Sequence, residues 1–295
     1  MQEETKSYLL IHLAVVLFGF TAILGTLIDL NAFVLVWWRV LIAAVGLTFF
    51  TKGIGFLKSI PLKDLRKFSI IGFIIALHWT AFFASVKLAG ASVCLVCMAT
   101  TCLFISFIEP LILKQRFRLL DFSVALLIVP GMVFVVNSVG VSKIVGILIG
   151  LASAALAALF ASLNKKYISH TSVWNLSWIE MMSAWITLGI IILGADILGQ
   201  PLRIIPHPED WIYLFLLGIV CTTIGHAMSL FALRHISAFS LNLVVNLEPV
   251  YGIILAALLL KENKELNAHF YIGTGLIILA VFTYPFLKKK FIYAF

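Results

Sequence analysis

Between residues 240 and 252 the chain reads SLNLVVNLEPVYG, an apolar run that carries two amides, a carboxyl and a proline. Asn242, Asn246 and Glu248 could bind a polar solute, and Glu248 could also carry a proton. Pro249 lacks an amide hydrogen and crowds the carbonyl of Val245, so a helix running through it must kink or open. His78 and His226 lie in two other apolar runs, where imidazole could relay protons or recognise a carboxylate. Arg39 and Glu180 are further charges in apolar surroundings, suited to holding an anionic or a cationic solute group at a gate. Trp79, beside His78, and Tyr251, near Glu248, could line a cavity for an amphipathic solute.

Each of these residues has a plainer use. A polar side chain in an apolar helix can simply bond to a neighbouring helix, and a long charged one can reach back to an interface. A proline kink can be satisfied by a nearby Asn or Thr, and aromatic rings can face lipid. Glu109, separated by four residues from KQR, is expected to pair locally with that basic stretch, with Pro110 bending the helix end. Cys94, Cys97, Cys102 and Cys221 all fall in hydrophobic runs; no second pair or neighbouring His completes a metal motif, so they read as small packing residues.

What must position these groups follows from composition. Hydrophobic residues make up 62% of the 295, charged residues 12%, and the mean hydropathy is +1.13. A soluble domain of this size could not hide so much apolar surface, so lipid is the solvent. The net charge of +8 lies in short connectors and near the C-terminus, without the basic tract and interleaved aromatics of a nucleic-acid surface.

A spanning helix needs about 20 mainly apolar residues. That rule gives an all-α integral membrane protein with ten transmembrane helices, at 8–28, 32–51, 68–86, 91–113, 119–137, 144–163, 174–195, 211–233, 238–260 and 269–287. The first run follows Glu3, Glu4 and Lys6 and is long enough to cross, so it reads as the first membrane helix and not as a removed signal. Of the 21 Lys and Arg, 15 fall on one set of alternate connectors and ends, five on the other, and Arg39 is intramembrane. By the positive-inside rule both termini are then cytoplasmic.

At an offset of 148 residues, 78–96 aligns with 226–244 without a gap: His78 meets His226, Phe83 and Ala84 meet Phe231 and Ala232, and Ser92 meets Ser240. Near an offset of 141, Trp38 and Arg39 fall on Ile179 and Glu180. The chain therefore divides into two five-helix repeats, 1–140 and 141–295. An odd number of crossings turns the second copy upside down, as in alternating-access carriers with a site near the bilayer midplane. In that arrangement Arg39 lies nearer the outside and Glu180 nearer the cytoplasm, so the two should not pair. Asn242 and Asn246 share a helical face, while Glu248 is about 200° round from Asn246. Either two faces meet protein or the helix is interrupted. Gly146-x-x-x-Gly150 marks a close-packing face, and Pro130-Gly131 marks a bend.

Two five-helix halves, Phe18-Gly19 in the first helix, Arg39 in the second, Pro249 in the ninth and Glu262 at its end together resemble the EamA family of the drug/metabolite transporter superfamily. The resemblance implies a carrier of the bacterial inner (plasma) membrane, often an exporter of small metabolites such as amino acids, with a cavity between the halves. Phe18 stands where Trp is usual, Glu248 precedes the proline, and LKQR replaces an acidic end of helix four.

The function expected is gradient-driven transport of a small polar or amphipathic metabolite, as monomer or homodimer. Nothing resembles a nucleotide-binding loop or a cofactor site, and proton coupling through Glu248 is the expected drive. The competing class is an intramembrane enzyme with Glu248 and His226 as an acid/base pair. It lacks any His-Glu-x-x-His, Gly-x-Ser-x-Gly or acidic metal cluster.

Overall fold

The structure is a computed structural model that describes residues 2–51, 53–138, 140–261 and 266–292. Glu262 lies outside the described residues, as do Lys52 and Lys264. Among the described residues ten long helical stretches follow one another: α1 Gln2–Leu27, α2 Ala32–Phe50, α3 Leu62–Ala89, α4 Ala91–Leu113, α5 Leu119–Ser138, α6 Ile144–Tyr167, α7 Val173–Ile197, α8 Asp210–Leu233, α9 Ala238–Leu260 and α10 Ala268–Ile292. No strand occurs among the described residues. Nine of the helices, all but α10, are long and apolar enough to cross a bilayer; in α10 the apolar stretch among the described residues is Ala268–Ala280. Their outward faces stay apolar, as at Phe49 (81% exposed), Leu111 and Leu258, which suits a lipid solvent and no other.

Several starts are written in the sequence. The side chains of Asn31, Ser172 and Ser237 accept hydrogen bonds from the backbone N–H of Phe33, Asn175 and Ser240, capping α2, α7 and α9. The connector KLAG is mostly helix: α3 runs on to Ala89 and α4 begins at Ala91. Gly90 alone turns the chain, at φ +97°, a conformation that a side chain disfavours.

Four spans are irregular inside. α4 is interrupted at Thr100, and α9 at Asn246–Leu247. α5 breaks at Leu127, three residues before Pro130, because the proline ring crowds the carbonyl of Leu126. Gly131 is a crossing point as well: a Cβ there would meet the carbonyl oxygen of Gly273 on α10 at 2.7 Å. α8 is wound as a π-helix over Leu216–Ile224, where the Thr222 and Thr223 hydroxyls donate to the carbonyls five residues back, Leu217 and Gly218.

The helices pack in related pairs. α3 lies along α6 and α8 along α1; α3 meets α7 and α8 meets α2; α4 meets α6 and α9 meets α1; α2 meets α7, α4 meets α9, and α5 meets α10. Exchanging each helix of one half for its counterpart in the other leaves this set unchanged. Gly146 and Gly150 lie against Leu88, Ala89, Ser85 and Cys97, so this face is taken up by α3 and α4 within the chain.

Hydrogen bonds define two opposite edges. On one, Lys165 donates to the carbonyls of Leu233 and Arg234, Arg234 donates to Thr171, and Asp64 pairs with Lys67 and His170. On the other, Lys87 donates to Ile28, Asp29 pairs with Arg203, and Asp210 accepts from the backbone N–H groups of Asp29 and His207. Glu109 does not pair with KQR as its position suggested. It is buried and accepts from the backbone N–H groups of Ala238 and Phe239 at 2.9 and 2.8 Å. A carboxylate satisfies the orphan amides of a helix start better than it would a mobile surface cation.

Candidate functional site

A cavity of about 110 Å³ lies between the halves, against α1, α2, α3, α4, α6, α8 and α9. One water needs roughly 10–15 Å³ of such space, so the cavity holds several waters or a small solute. Arg39, His78, Trp79, His226, Asn242 and Glu248 all reach its wall. Residues from both halves of the sequence are thus brought together by the pairing of α3 with α6 and of α8 with α1.

Arg39 does not reach back to an interface. It is buried, its Nε donates to Thr222 Oγ1 at 2.6 Å, and its guanidinium carbon lies 4.2 Å from the centre of the Trp79 ring. The π-winding of α8 sets this contact, since Thr222 is in the widened segment. Nη1 of Arg39 is buried without a hydrogen-bond partner among the described residues. Glu248 is also buried, makes no hydrogen bond among the described residues, and attracts Arg39 electrostatically. A guanidinium and a carboxyl group that both reach the wall of one apolar chamber without pairing to each other can receive the two charged ends of a zwitterion.

The two histidines occupy matching places but differ in their partners. His78 Nδ1 lies 2.9 Å from both the Oγ and the carbonyl oxygen of Ser153 on α6. His226 Nε2 lies 2.8 Å from Glu180 Oε2, and its ring meets Trp79 edge-on at 5.9 Å. Arg39 and Glu180 do not pair with each other. Each is held by α8, at Thr222 and at His226, one helical turn apart. Glu180 engages Nε2 of His226, and no hydrogen bond joins His226 to Glu248 among the described residues.

The stretch around Pro249 resolves into two short helices. Ala238–Val245 ends, Asn246 and Leu247 keep near-helical backbone angles, and Glu248–Leu255 restarts with the proline in its first turn. The helix is interrupted and not unwound, and both of its polar faces meet protein. Asn242 faces the cavity, with its Nδ2 donating back to Ala238 O at 2.9 Å. Asn246 is not on the cavity wall: its Nδ2 donates to Ala99 O and Cys102 Sγ, both at 3.1 Å, where α4 is itself interrupted. Tyr251 does not line the cavity either. It is 40% exposed, and its Cβ lies against Gly19 of α1, where an added Cβ would be only 3.1 Å away. Three residues on from Glu248, the helix has carried its side chain outward.

Among the remaining wall residues, Met98, Thr101, Phe160 and Asn164 carried no signal as single residues. Phe18, Phe82, Met98 and Phe160 supply the apolar surface, and Thr101 and Asn164 supply polar groups. Phe18 and Phe160 come from α1 and α6, and Phe160 packs on His78 with ring centres 5.2 Å apart. Cys221 also reaches the wall, while Cys94 and Cys97 are buried in helix contacts. No group of His, Cys, Asp and Glu able to hold a metal ion occurs among the described residues.

Residues 5–137 and 144–284 each match the EamA-like transporter family. A solved crystal structure is similar over 98% of this chain and 99% of its own, with a TM-score of 0.69 at 15% identity, a likeness that extends to the fold alone. No curated protein matches the chain.

Proposed function

The chain belongs to the EamA-like transporter family, within the drug/metabolite transporter superfamily, and from that premise we propose that it is a gradient-driven exporter of a small polar or amphipathic metabolite such as an amino acid. The solute is held between Arg39 and Glu248 and released by alternating access. The observation that carries this reading is that Arg39 and Glu248 both reach the wall of one cavity between the halves, Arg39 with an unpaired Nη1 and Glu248 with no hydrogen bond among the described residues. Most buried polar groups in folded proteins are paired, and a carrier can leave charged groups on its cavity wall without a protein partner for its cargo.

The mechanism rests on two inverted five-helix repeats, 1–140 and 141–295, with ten crossings. The interchangeable packing of the two halves supports this, as does the alternation of helix ends between two edges. The membrane is the bacterial inner membrane, with both termini on the cytoplasmic side where the basic residues concentrate. Arg203 and Lys87 then close the outer edge, and the cavity extends toward the cytoplasmic ends of α6 and α8. Glu248 can exchange a proton for a substrate ammonium, because one carboxyl cannot serve both at once. This competition couples export to a proton gradient.

The test is the melting temperature of the detergent-purified protein against a panel of amino acids, nucleosides and organic acids, repeated with Glu248→Gln. A ligand that binds only the folded state raises it. The reading expects a concentration-dependent rise with a zwitterion that the variant loses, and the same solute crossing sealed vesicles unchanged. A ligand that stabilises both proteins equally removes Glu248 from the site, and conversion of the solute by the purified protein replaces the carrier with an enzyme.

A further inference from the structure

Asn164 sits three residues before the end of α6, in the sequence SLNKKY, at the opposite end of the cavity from the charged pair. Leu233, the last residue of α8, and Leu241 and Asn242, near the start of α9, reach the wall with it. These helix ends belong to one edge, because the next residue, Lys165, donates to the carbonyls of Leu233 and Arg234. Arg39, Cys221 and Glu248 are instead in the middle stretches of their helices.

The amide of Asn164 is unusual in this protein. The residue is 0% exposed, and neither Nδ2 nor Oδ1 has a hydrogen-bond partner among the described residues. Asn242 and Asn246 spend their Nδ2 groups on backbone carbonyls. An unpaired donor beside an unpaired acceptor is costly in an apolar interior. Such a pair is complementary to another planar group that offers an acceptor beside a donor.

We propose that Asn164 is the specificity-determining residue of the cavity and that it reads a carboxamide at the far end of the solute, the side chain of a glutamine- or asparagine-like amino acid. The inference rests on the transport reading above and refines it. Phe160, one turn or about 6 Å back along α6, Met98 and Trp79 border the route between the two ends and accept a short aliphatic stem. The solute is thus held by its charged head at Arg39 and Glu248 and by its amide at Asn164. The surrounding side chains part to admit the amide, and the two orphaned atoms gain partners only then.

The experiment measures binding of L-glutamine and of L-methionine, a near-isosteric partner without the amide, by calorimetry on the purified protein. It is repeated with Asn164→Ala and with Asn164→Leu, which keeps the volume filled. Wild type is expected to prefer glutamine by tenfold or more, because a site with unpaired polar groups rejects the apolar analogue. In either folded variant the preference falls to about twofold or less while methionine still binds. A wild type that binds both alike, or a preference that survives both substitutions, overturns the role of Asn164 and leaves the zwitterion site standing. A wild type that binds neither, yet is stabilised by another class of metabolite, overturns the zwitterion reading itself.

Discussion

His226 and Glu180 form a hydrogen-bonded pair, 2.8 Å between Nε2 and Oε2, in which Glu180 is wholly buried and His226 nearly so. The second carboxyl oxygen of Glu180, Oε1, has no partner among the described residues. The histidine is therefore the group that satisfies this carboxyl. Replacing it with an apolar residue leaves a buried acid with nothing to bond, which costs about 3 kcal/mol or more. His226→Leu is expected to lower the melting temperature clearly, and Glu180→Gln, which keeps a hydrogen bond to the ring, to lower it far less. Equal effects of the two substitutions would mean that the pair contributes little.

Arg39 is held by two features at once, the Thr222 hydroxyl on its Nε and the Trp79 ring beneath its guanidinium. Lysine is a point charge without the planar fork and cannot reproduce both. Arg39→Lys should preserve the fold and weaken ligand binding by an order of magnitude or more, since a hydrogen bond to a charged group is worth about 1.5–3 kcal/mol. Unchanged affinity in the lysine variant, measured by calorimetry, would remove the guanidinium from the site.

The interruption of α9 faces the interruption of α4, and Asn246 bridges them by donating to Ala99 O. α4 breaks at Thr100 with no proline near the break, so proline is not required for a break at this place in the fold. Pro249→Ala is expected to change stability by less than about 1 kcal/mol, whereas Asn246→Leu leaves the Ala99 carbonyl unpaired and costs about 1–3 kcal/mol. Thermal unfolding of the two variants ranks them, and the reverse order would make the proline the cause of the break.

The membrane character and nine of the spans were legible because lipid leaves a simple mark, about 20 apolar residues between polar connectors. Arg39, His78, His226 and Glu248 could be singled out because a polar residue in such a run is conspicuous, and all four reach the cavity. Asn164 was missed for the converse reason. It stands three residues after Ala161 and beside Lys165 and Lys166, so it looked like the polar end of a span. Glu109 was misassigned because its partners are backbone amides 129 and 130 residues away, and backbone carries no sequence label. Asn246 and Tyr251 were placed on the cavity by proximity to Glu248, but an interrupted helix presents its neighbours to different surroundings.

The nine residues Leu216–Ile224 of α8 complete fewer turns than they would in an α-helix, since each hydrogen bond reaches back five residues instead of four. Everything beyond that segment is out of phase with what precedes it, so a single helical wheel drawn over 210–233 misplaces one half of its side chains. The bearing of His226, Ser229, Leu230 and Leu233 toward the cavity is set by how tightly one short coil is wound. Rewinding it to the ordinary pitch would rotate this entire wall about the axis of α8 and turn the imidazole away from Glu180. One wall of the binding chamber is in this sense a matter of torsion stored upstream, and the Thr222 and Thr223 hydroxyls, bonded to Leu217 and Gly218, are the pins that hold it.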